Sequence, residues 1–139
     1  MPDTWTVAGV QTDCALGDTA ANAAAVARKL NEAADRGARL VVFPECALSG
    51  YGFASRADAL RAAQPLPGPA TDLIAKECAR RGVWAVFGLL EAAPGGKLYN
   101  SAALVGPSGF VAGYRKAHLP CLGADRFTDP GDRPFAVHD

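Results

Sequence analysis

Apolar and polar residues along this chain fall into short blocks, and the period of each block assigns it an element. Residues 5–12 alternate and are rich in β-forming types, which predicts a first strand. Gly17 and Asp18 offer a turn and a helix cap. The alanine-rich segment 19–36 then carries Ala23, Val26, Leu30, Ala33 and Ala34 on one helical face, with Arg28, Lys29, Glu32 and Asp35 elsewhere. Gly37 stands at the expected stop. A second strand is predicted over 38–43, ended by Pro44, which cannot donate to a sheet ladder. A short helix over 55–63 follows, then a helix capped by Thr71 that runs through Arg81 to Gly82. The Pro65-Leu66-Pro67-Gly68-Pro69 cluster between them reads as an internal loop.

Residues 83–90 form an unbroken apolar run, the pattern of a strand buried on both faces. Turns at Pro94-Gly95-Gly96 and Pro107-Ser108-Gly109 separate two further strands, 98–105 and 110–116. The tail from His118 is loop-like, with a Pro130-Gly131-Asp132 turn and one more strand expected over 134–137. The order β-α-β-α-α-β-β-β predicts an α/β (mixed α+β) fold. Early crossovers make parallel neighbours and tight turns make antiparallel hairpins, giving a mixed sheet with helices on one face. The other face then needs a partner layer.

Composition narrows the function classes. The 139 residues amount to one domain, half hydrophobic and one fifth charged. Lys+Arg and Asp+Glu both number 14, so there is no electrostatic footprint for nucleic acid or for an anionic membrane surface. No apolar run approaches the roughly 20 residues that span a bilayer, and the amino terminus lacks the features of a signal peptide. Cys14, Cys46, Cys78 and Cys121 are scattered without a C-x-x-C pair, the usage of reduced thiols in a cytoplasmic protein. No G-x-G-x-x-G or P-loop follows a predicted strand, which argues against a nucleotide-binding module.

Two strand ends carry the candidate chemistry. Glu45 follows Pro44 at the edge of the second strand, and Lys116 closes the last hairpin. A carboxylate and an ammonium delivered to one cleft could serve acyl transfer. The Glu would take a proton from a nucleophile, if burial lifts its pKa, and the Lys would stabilise an oxyanion. The plainer reading of such a pair is a salt bridge at a loop end.

Val42-Phe43-Pro44-Glu45 with Leu48-Ser49-Gly50-Tyr51 resembles the first signature of the nitrilase superfamily, the carbon–nitrogen hydrolases. So do Tyr99-Asn100-Ser101-Ala102, Gly113-Tyr114-Arg115-Lys116 with His118-Leu119, Asp125-Arg126-Phe127 and Pro130-Gly131-Asp132, in that order. The resemblance runs from about Thr4 to the last residue. It implies a nitrilase-like α-β-β-α sandwich of which residues 1–139 are the amino-terminal half, a single domain truncated before the nucleophile cysteine. Glu45 then matches the family's general base and Lys116 its oxyanion-stabilising lysine. The nucleophile belongs on a later strand end, beyond Asp139. The second active-site glutamate of many members is unassigned here, because the comparable stretch reads Gly123-Ala124-Asp125, with Asp125 as a weak substitute. Tyr51 and Phe53 either line a substrate pocket near Glu45 or pack their own loop. Asn100 is expected to make a structural hydrogen bond.

The cysteines present are weaker nucleophile candidates. Cys46 follows Glu45 directly, and successive extended residues point to opposite sides, so Cys46 is expected to face away from the site. Cys14 and Cys78 read as core thiols. Cys121 has His118 three residues before it and Asp125 four after, a workable thiolate–imidazole grouping, although the family's pattern makes that stretch a variable loop. His118 and Cys121 also have the spacing of two metal ligands, but neither a cysteine pair nor a nearby histidine completes a site.

The expectation is therefore a hydrolase acting on non-peptide C–N bonds of a small-molecule amide, nitrile or carbamoyl substrate. The resemblance implies a cysteine acyl-enzyme, no metal or organic cofactor, and a homo-oligomer. A glutamine-amidase domain supplying ammonia to a synthetase is a variant. The competing reading is a catalytically inactive fragment or pseudoenzyme that binds a complementary chain.

Overall fold

Five strands pair in chain order into one sheet in the computed structural model, which describes residues 4–138. Strands β1 (Val7–Gly9), β2 (Leu40–Val42) and β3 (Trp84–Ala93) run parallel, with Val7 beside Leu40 and Leu40 beside Trp84. Strands β4 (Lys97–Gly106) and β5 (Gly109–Arg115) add on as antiparallel hairpins. Helix α1 (Thr19–Asp35) crosses from β1 to β2, while α2 (Arg56–Arg61) and α3 (Pro69–Arg81) lie between β2 and β3.

Helices α1 and α3 pack on each other and on one face of the sheet. Val26 and Leu30 from α1 and Ile74 from α3 meet Val41, Phe87 and Leu89 from the strands. Side chains alternate across a strand, so Ala85, Phe87, Leu89, Ala103 and Val105 join this core. The alternate positions face the other way. There Val7 and Val42 are exposed and Trp84, Val86 and Leu104 half-buried, leaving an apolar sheet face without a covering layer among the described residues. No helix among them is long and apolar enough to cross a membrane.

Four sequence expectations need correcting. The first strand is three residues long rather than eight, because only 7–9 find a ladder along β2; one further bond, from Val10 N–H to the Val42 carbonyl, continues it. Helix α3 begins at Pro69 with Gly68 as its cap residue, since proline suits the first helical position. Thr71 instead sits one turn in, where its hydroxyl accepts from Gly68 N–H at 2.7 Å and donates to the Gly68 carbonyl at 2.6 Å. Strand β3 is buried on both faces only over residues 87–91, because no layer among the described residues covers Trp84 and Val86. The expected strand over 134–137 does not form. No strand among the described residues pairs with it, although the Phe135 ring stacks on Tyr114 with centroids 5.5 Å apart.

One close approach fixes the end of β2. Residues 44–48 fold across β3 at Gly88, whose N–H donates to the Pro44 carbonyl at 3.2 Å and whose carbonyl accepts from Leu48 N–H at 3.1 Å. A Cβ at Gly88 would overlap the Cys46 amide nitrogen and lie 2.7 Å from Glu45 Cα. Glycine inside a strand is otherwise unfavourable, so its presence here is explained by this crossing. Asn22 at the start of α1 clamps the same loop, donating to the Ala15 and Leu48 carbonyls at 2.7 and 3.0 Å. The tail is tied down by Asp129, which accepts from Leu98 N–H at 2.9 Å and from Lys97 and Arg56 at 3.0 Å each.

Gly88→Ala forces the 45–46 backbone off β3 and is expected to destabilise the protein by about 1–3 kcal/mol, read as a fall in the denaturation midpoint at unchanged m-value. Asp129 gives a pH signature. The Leu98 N–H, outweighing partial burial and helped by Lys97 and Arg56, holds its carboxyl down at about 2. A depressed folded-state value contributes stability above the unfolded value of about 3.9 that is lost as pH falls toward 2. Asp129→Asn should remove that portion of the acid dependence and cost about 2 kcal/mol at neutral pH, measured by denaturation from pH 7 to pH 2.

Candidate active site

The ends of β2 and β5 and the middles of β3 and β4 meet at a cleft of about 400 Å³ lined in part by Phe43, Glu45, Gly88, Asn100, Tyr114 and Lys116. Glu45 stands just past β2, delivered by the crossing at Gly88. Lys116 stands just past β5, and its N–H continues the ladder to the Asn100 carbonyl at 2.8 Å. The Lys116 carbonyl accepts from Gly131 N–H at 2.9 Å. A Cβ at Gly131 would overlap the Arg115 carbonyl: the Pro130-Gly131-Asp132 segment does not form the expected turn but lies flat against the lysine's backbone, held by it. Asp132 then accepts both hydrogen bonds of the Arg115 guanidinium nitrogen Nη1, at 2.9 and 3.0 Å. Buried Arg115 also binds Glu91 through Nε at 3.0 Å and lies over the Tyr99 ring at 4.0 Å. Its neighbour Lys116 therefore leaves the strand in a fixed direction.

The structure brings Glu45 and Lys116 into direct contact, with Lys116 Nζ donating to Glu45 Oε1 at 2.6 Å. It adds two groups that the sequence did not place in the site, Asp125 and Asn100. Asp125, in the 3-10 turn Gly123–Arg126, accepts from Lys116 Nζ at 2.6 Å through Oδ2. Asn100, midway along β4, donates from Nδ2 to Glu45 Oε1 at 2.6 Å and to Asp125 Oδ1 at 2.7 Å. Glu45 is about half exposed while the Asp125 side chain is fully buried. One carboxylate thus opens to the cleft and the other supports it from below.

Burial alone would lower the Lys116 pKa. Hydrogen bonds to Asp125 and Glu45, together with the charge on both carboxylates, outweigh it and hold the amine above the ordinary lysine range. The ammonium is therefore fully charged at neutral pH, a fixed positive group at the mouth of the cleft.

Tyr51 reaches this cluster from the side, its hydroxyl donating to Asp125 Oδ2 at 3.2 Å. Burial and the Asp125 charge raise its pKa. Its ring covers Gly123 so closely that a Cβ there would overlap it. Tyr51 is thus anchored to the buried acid and is not among the residues lining the cleft, while Phe53 packs into the core beside Ala59, Ala62 and Leu90.

Cys46 is a correction. Its φ of +51° places it in a left-handed turn, so the alternation of an extended chain does not apply and the thiol turns toward Asn100, with Sγ 3.6 Å from Oδ1. It is fully buried, and burial, with the nearby Glu45 and Asp125 charges, pushes its pKa up to about 12. That is no nucleophile. Cys78 is a core thiol raised likewise to about 12 by burial, and half-buried Cys14 is raised too, by partial burial and Asp13. Exposed Cys121 lies 3.8 Å from the Leu119 carbonyl and outside the cleft lining. Among the described residues, no three His, Cys, Asp or Glu side chains are grouped to hold a metal ion.

The site position of Asn100 follows from the β3–β4 register: it sits opposite Leu90, on the same sheet face as Gly88. Asp125 had two signals, its place in the Asp125-Arg126-Phe127 motif and its nearness in sequence to Lys116.

Comparison with known proteins gives this geometry a lineage. The carbon–nitrogen hydrolase family model matches residues 6–136. A nitrilase of Pyrococcus abyssi is 39% identical over 134 residues, covering 96% of this chain and 50% of its own. Omega-amidase NIT2-A of Xenopus laevis is 37% identical over 122 residues, covering 79% of this chain and 42% of its own. The crystal structure of a CN-hydrolase superfamily protein from Xanthomonas campestris superimposes with a TM-score of 0.80 at 23% identity, over 95% of this chain and 48% of that one, a likeness of fold. The chain spans half or less of the length of these relatives. With the family model matched over nearly its whole length and Glu45 and Lys116 meeting in one cleft, the chain belongs to the carbon–nitrogen hydrolase family of the nitrilase superfamily.

Proposed function

We propose that this chain is the amino-terminal half of a carbon–nitrogen hydrolase that cleaves non-peptide C–N bonds of small amides, carbamoyl amines or nitriles through a Cys-Glu-Lys mechanism. The observation that carries this reading is the Lys116 ammonium held 2.6 Å from a half-exposed Glu45 and 2.6 Å from a buried Asp125, at the edge of an open cleft. The nucleophilic cysteine lies beyond residue 139. None of the four cysteines present suits the role, since the one nearest Glu45 is buried and held protonated.

In an amide reaction, Glu45 takes the proton of the incoming thiol as sulfur bonds to the carbonyl carbon. Lys116 donates to the oxygen that becomes negative in the tetrahedral intermediate. Collapse breaks the C–N bond, and Glu45 returns its proton to the leaving amine. A water, deprotonated by Glu45, then attacks the acyl-enzyme. The thiolate leaves, takes the proton back, and the acid departs. Asp125 keeps the ammonium aligned throughout. The similar proteins are a nitrilase and an omega-amidase by name, which supports amide or nitrile chemistry without fixing the substrate.

The uncovered sheet face supports stacking on a second layer, from the rest of the protein or a further copy. Four free cysteines are in keeping with a reducing, cytoplasmic setting. On this account residues 1–139 alone are inactive.

Full-length protein and the 139-residue polypeptide should be assayed for ammonia release from a panel of primary amides, N-carbamoyl amines and nitriles. Turnover is expected only from the longer protein, with Glu45→Gln and Lys116→Met each lowering kcat/KM by about 10²–10⁴-fold at unchanged circular dichroism. Activity that survives Glu45→Gln would refute the assignment. The short polypeptide should also self-associate in sedimentation through its apolar face; a clean monomer would speak against the missing layer.

A further inference from the structure

Glu45 Oε1 receives two donors, Asn100 Nδ2 and Lys116 Nζ, each at 2.6 Å. Asp125 divides its oxygens between the same two donors, Oδ1 to Asn100 and Oδ2 to Lys116. The four groups therefore close a ring in which two carboxylates never touch each other and each is held by one amide and one ammonium. The Asn100 amide has only one orientation in this ring. Both carboxylates demand its N–H groups, so its Oδ1 must face away from them, and there it meets the Cys46 thiol. Burial keeps that thiol protonated, so Sγ–H is the donor to Oδ1, at 3.6 Å.

We propose that Asn100 is a positioning residue for Glu45, with the buried Cys46 thiol as its orienting partner, and that this pair decides which oxygen of Glu45 does the proton transfer. The inference rests on the hydrolase reading above. With Oε1 saturated by two donors, Oε2 is the oxygen left to accept the nucleophile's proton. Lys116 alone would let the half-exposed carboxylate rotate about its terminal torsion, which is soft and roughly two-fold. The second donor, rooted in the middle of β4 with its backbone carbonyl bound to Lys116 N–H, removes that freedom. The titratable groups facing Asn100 are Glu45, Asp125, Lys116 and Cys46, with Tyr51 behind Asp125.

The test uses the full-length protein and the best amide of the panel. Asn100→Ala should lower kcat/KM by about 10²-fold, mostly in kcat, because proton transfer rather than substrate binding is misaligned. Asn100→Asp puts a third acceptor between two carboxylates. It should lose activity more severely at neutral pH and regain part of it as pH falls and the new carboxyl takes up a proton, shifting the profile to the acid side. Cys46→Ala should cost several-fold, and Cys46→Ser, which keeps a donor, should recover most of that loss. An activity-independent reading comes from the Cys46 S–H stretching band in the infrared, assigned by its disappearance in Cys46→Ala. It should move to higher frequency in Asn100→Ala as the thiol loses its acceptor. Unchanged kcat and an unshifted pH profile in both Asn100 variants, with only a lowered Tm, would make Asn100 merely structural and overturn the proposal. An S–H band indifferent to Asn100→Ala would overturn the orienting role of Cys46. A wild-type protein with no turnover refutes the hydrolase reading itself, whereas an active wild type with unaffected Asn100 variants refutes only this inference.

Discussion

One ammonium held between two carboxylates is the constraint on which the rest of this site depends. Asp125 is fully buried, and an unpaired buried carboxylate is costly enough to unfold or neutralise a site. Lys116 and Asn100 together satisfy it, and the same two donors hold Glu45 at the rim. The arrangement separates structural from chemical duty. The acid below fixes the cation's place, and the acid above stays open to the cleft. A lysine so placed stays charged, which suits a group that must meet negative charge as it develops.

Much of the surrounding architecture exists to bring four side chains from distant parts of the sequence within hydrogen-bond distance. Two glycines do this by letting backbones touch. Gly88 admits the 44–48 crossing that swings Glu45 over β3, and Gly131 lets the Pro-Gly-Asp segment lie on the lysine's own peptide. The Glu91–Arg115–Asp132 network beside it, buried at Glu91 and Arg115 and open at Asp132, bonds the 130–132 segment to the strand end. None of these groups lines the cleft except Gly88, yet each limits how far the reacting pair can drift.

The elements and their order were legible because they rest on local signals: the helical face of α1, the Pro44 stop, the glycines of the two hairpins. The mixed sheet with helices on one face followed from connection lengths. Glu45 and Lys116 stood out because each ends a strand in a recognisable motif, and the structure does bring them together. Asn100 and Asp125 were harder to read. Their importance comes from the β3–β4 register and from a 3-10 turn docking under Lys116, and neither contact is encoded in nearby sequence. Cys46 was misjudged because alternation assumes an extended chain, while its backbone takes a left-handed turn. The missing strand at 134–137 failed for a similar reason, since β-forming residues make a strand only where a neighbour offers a ladder.

The most direct measurement is the titration of the Lys116 amine in the full-length protein, labelled by reductive methylation with carbon-13 formaldehyde and followed by NMR. The account predicts a pKa above the ordinary lysine value of about 10.4 that drops when Asp125 is changed to Asn. An amine titrating at or below that value, and indifferent to Asp125→Asn, would contradict it.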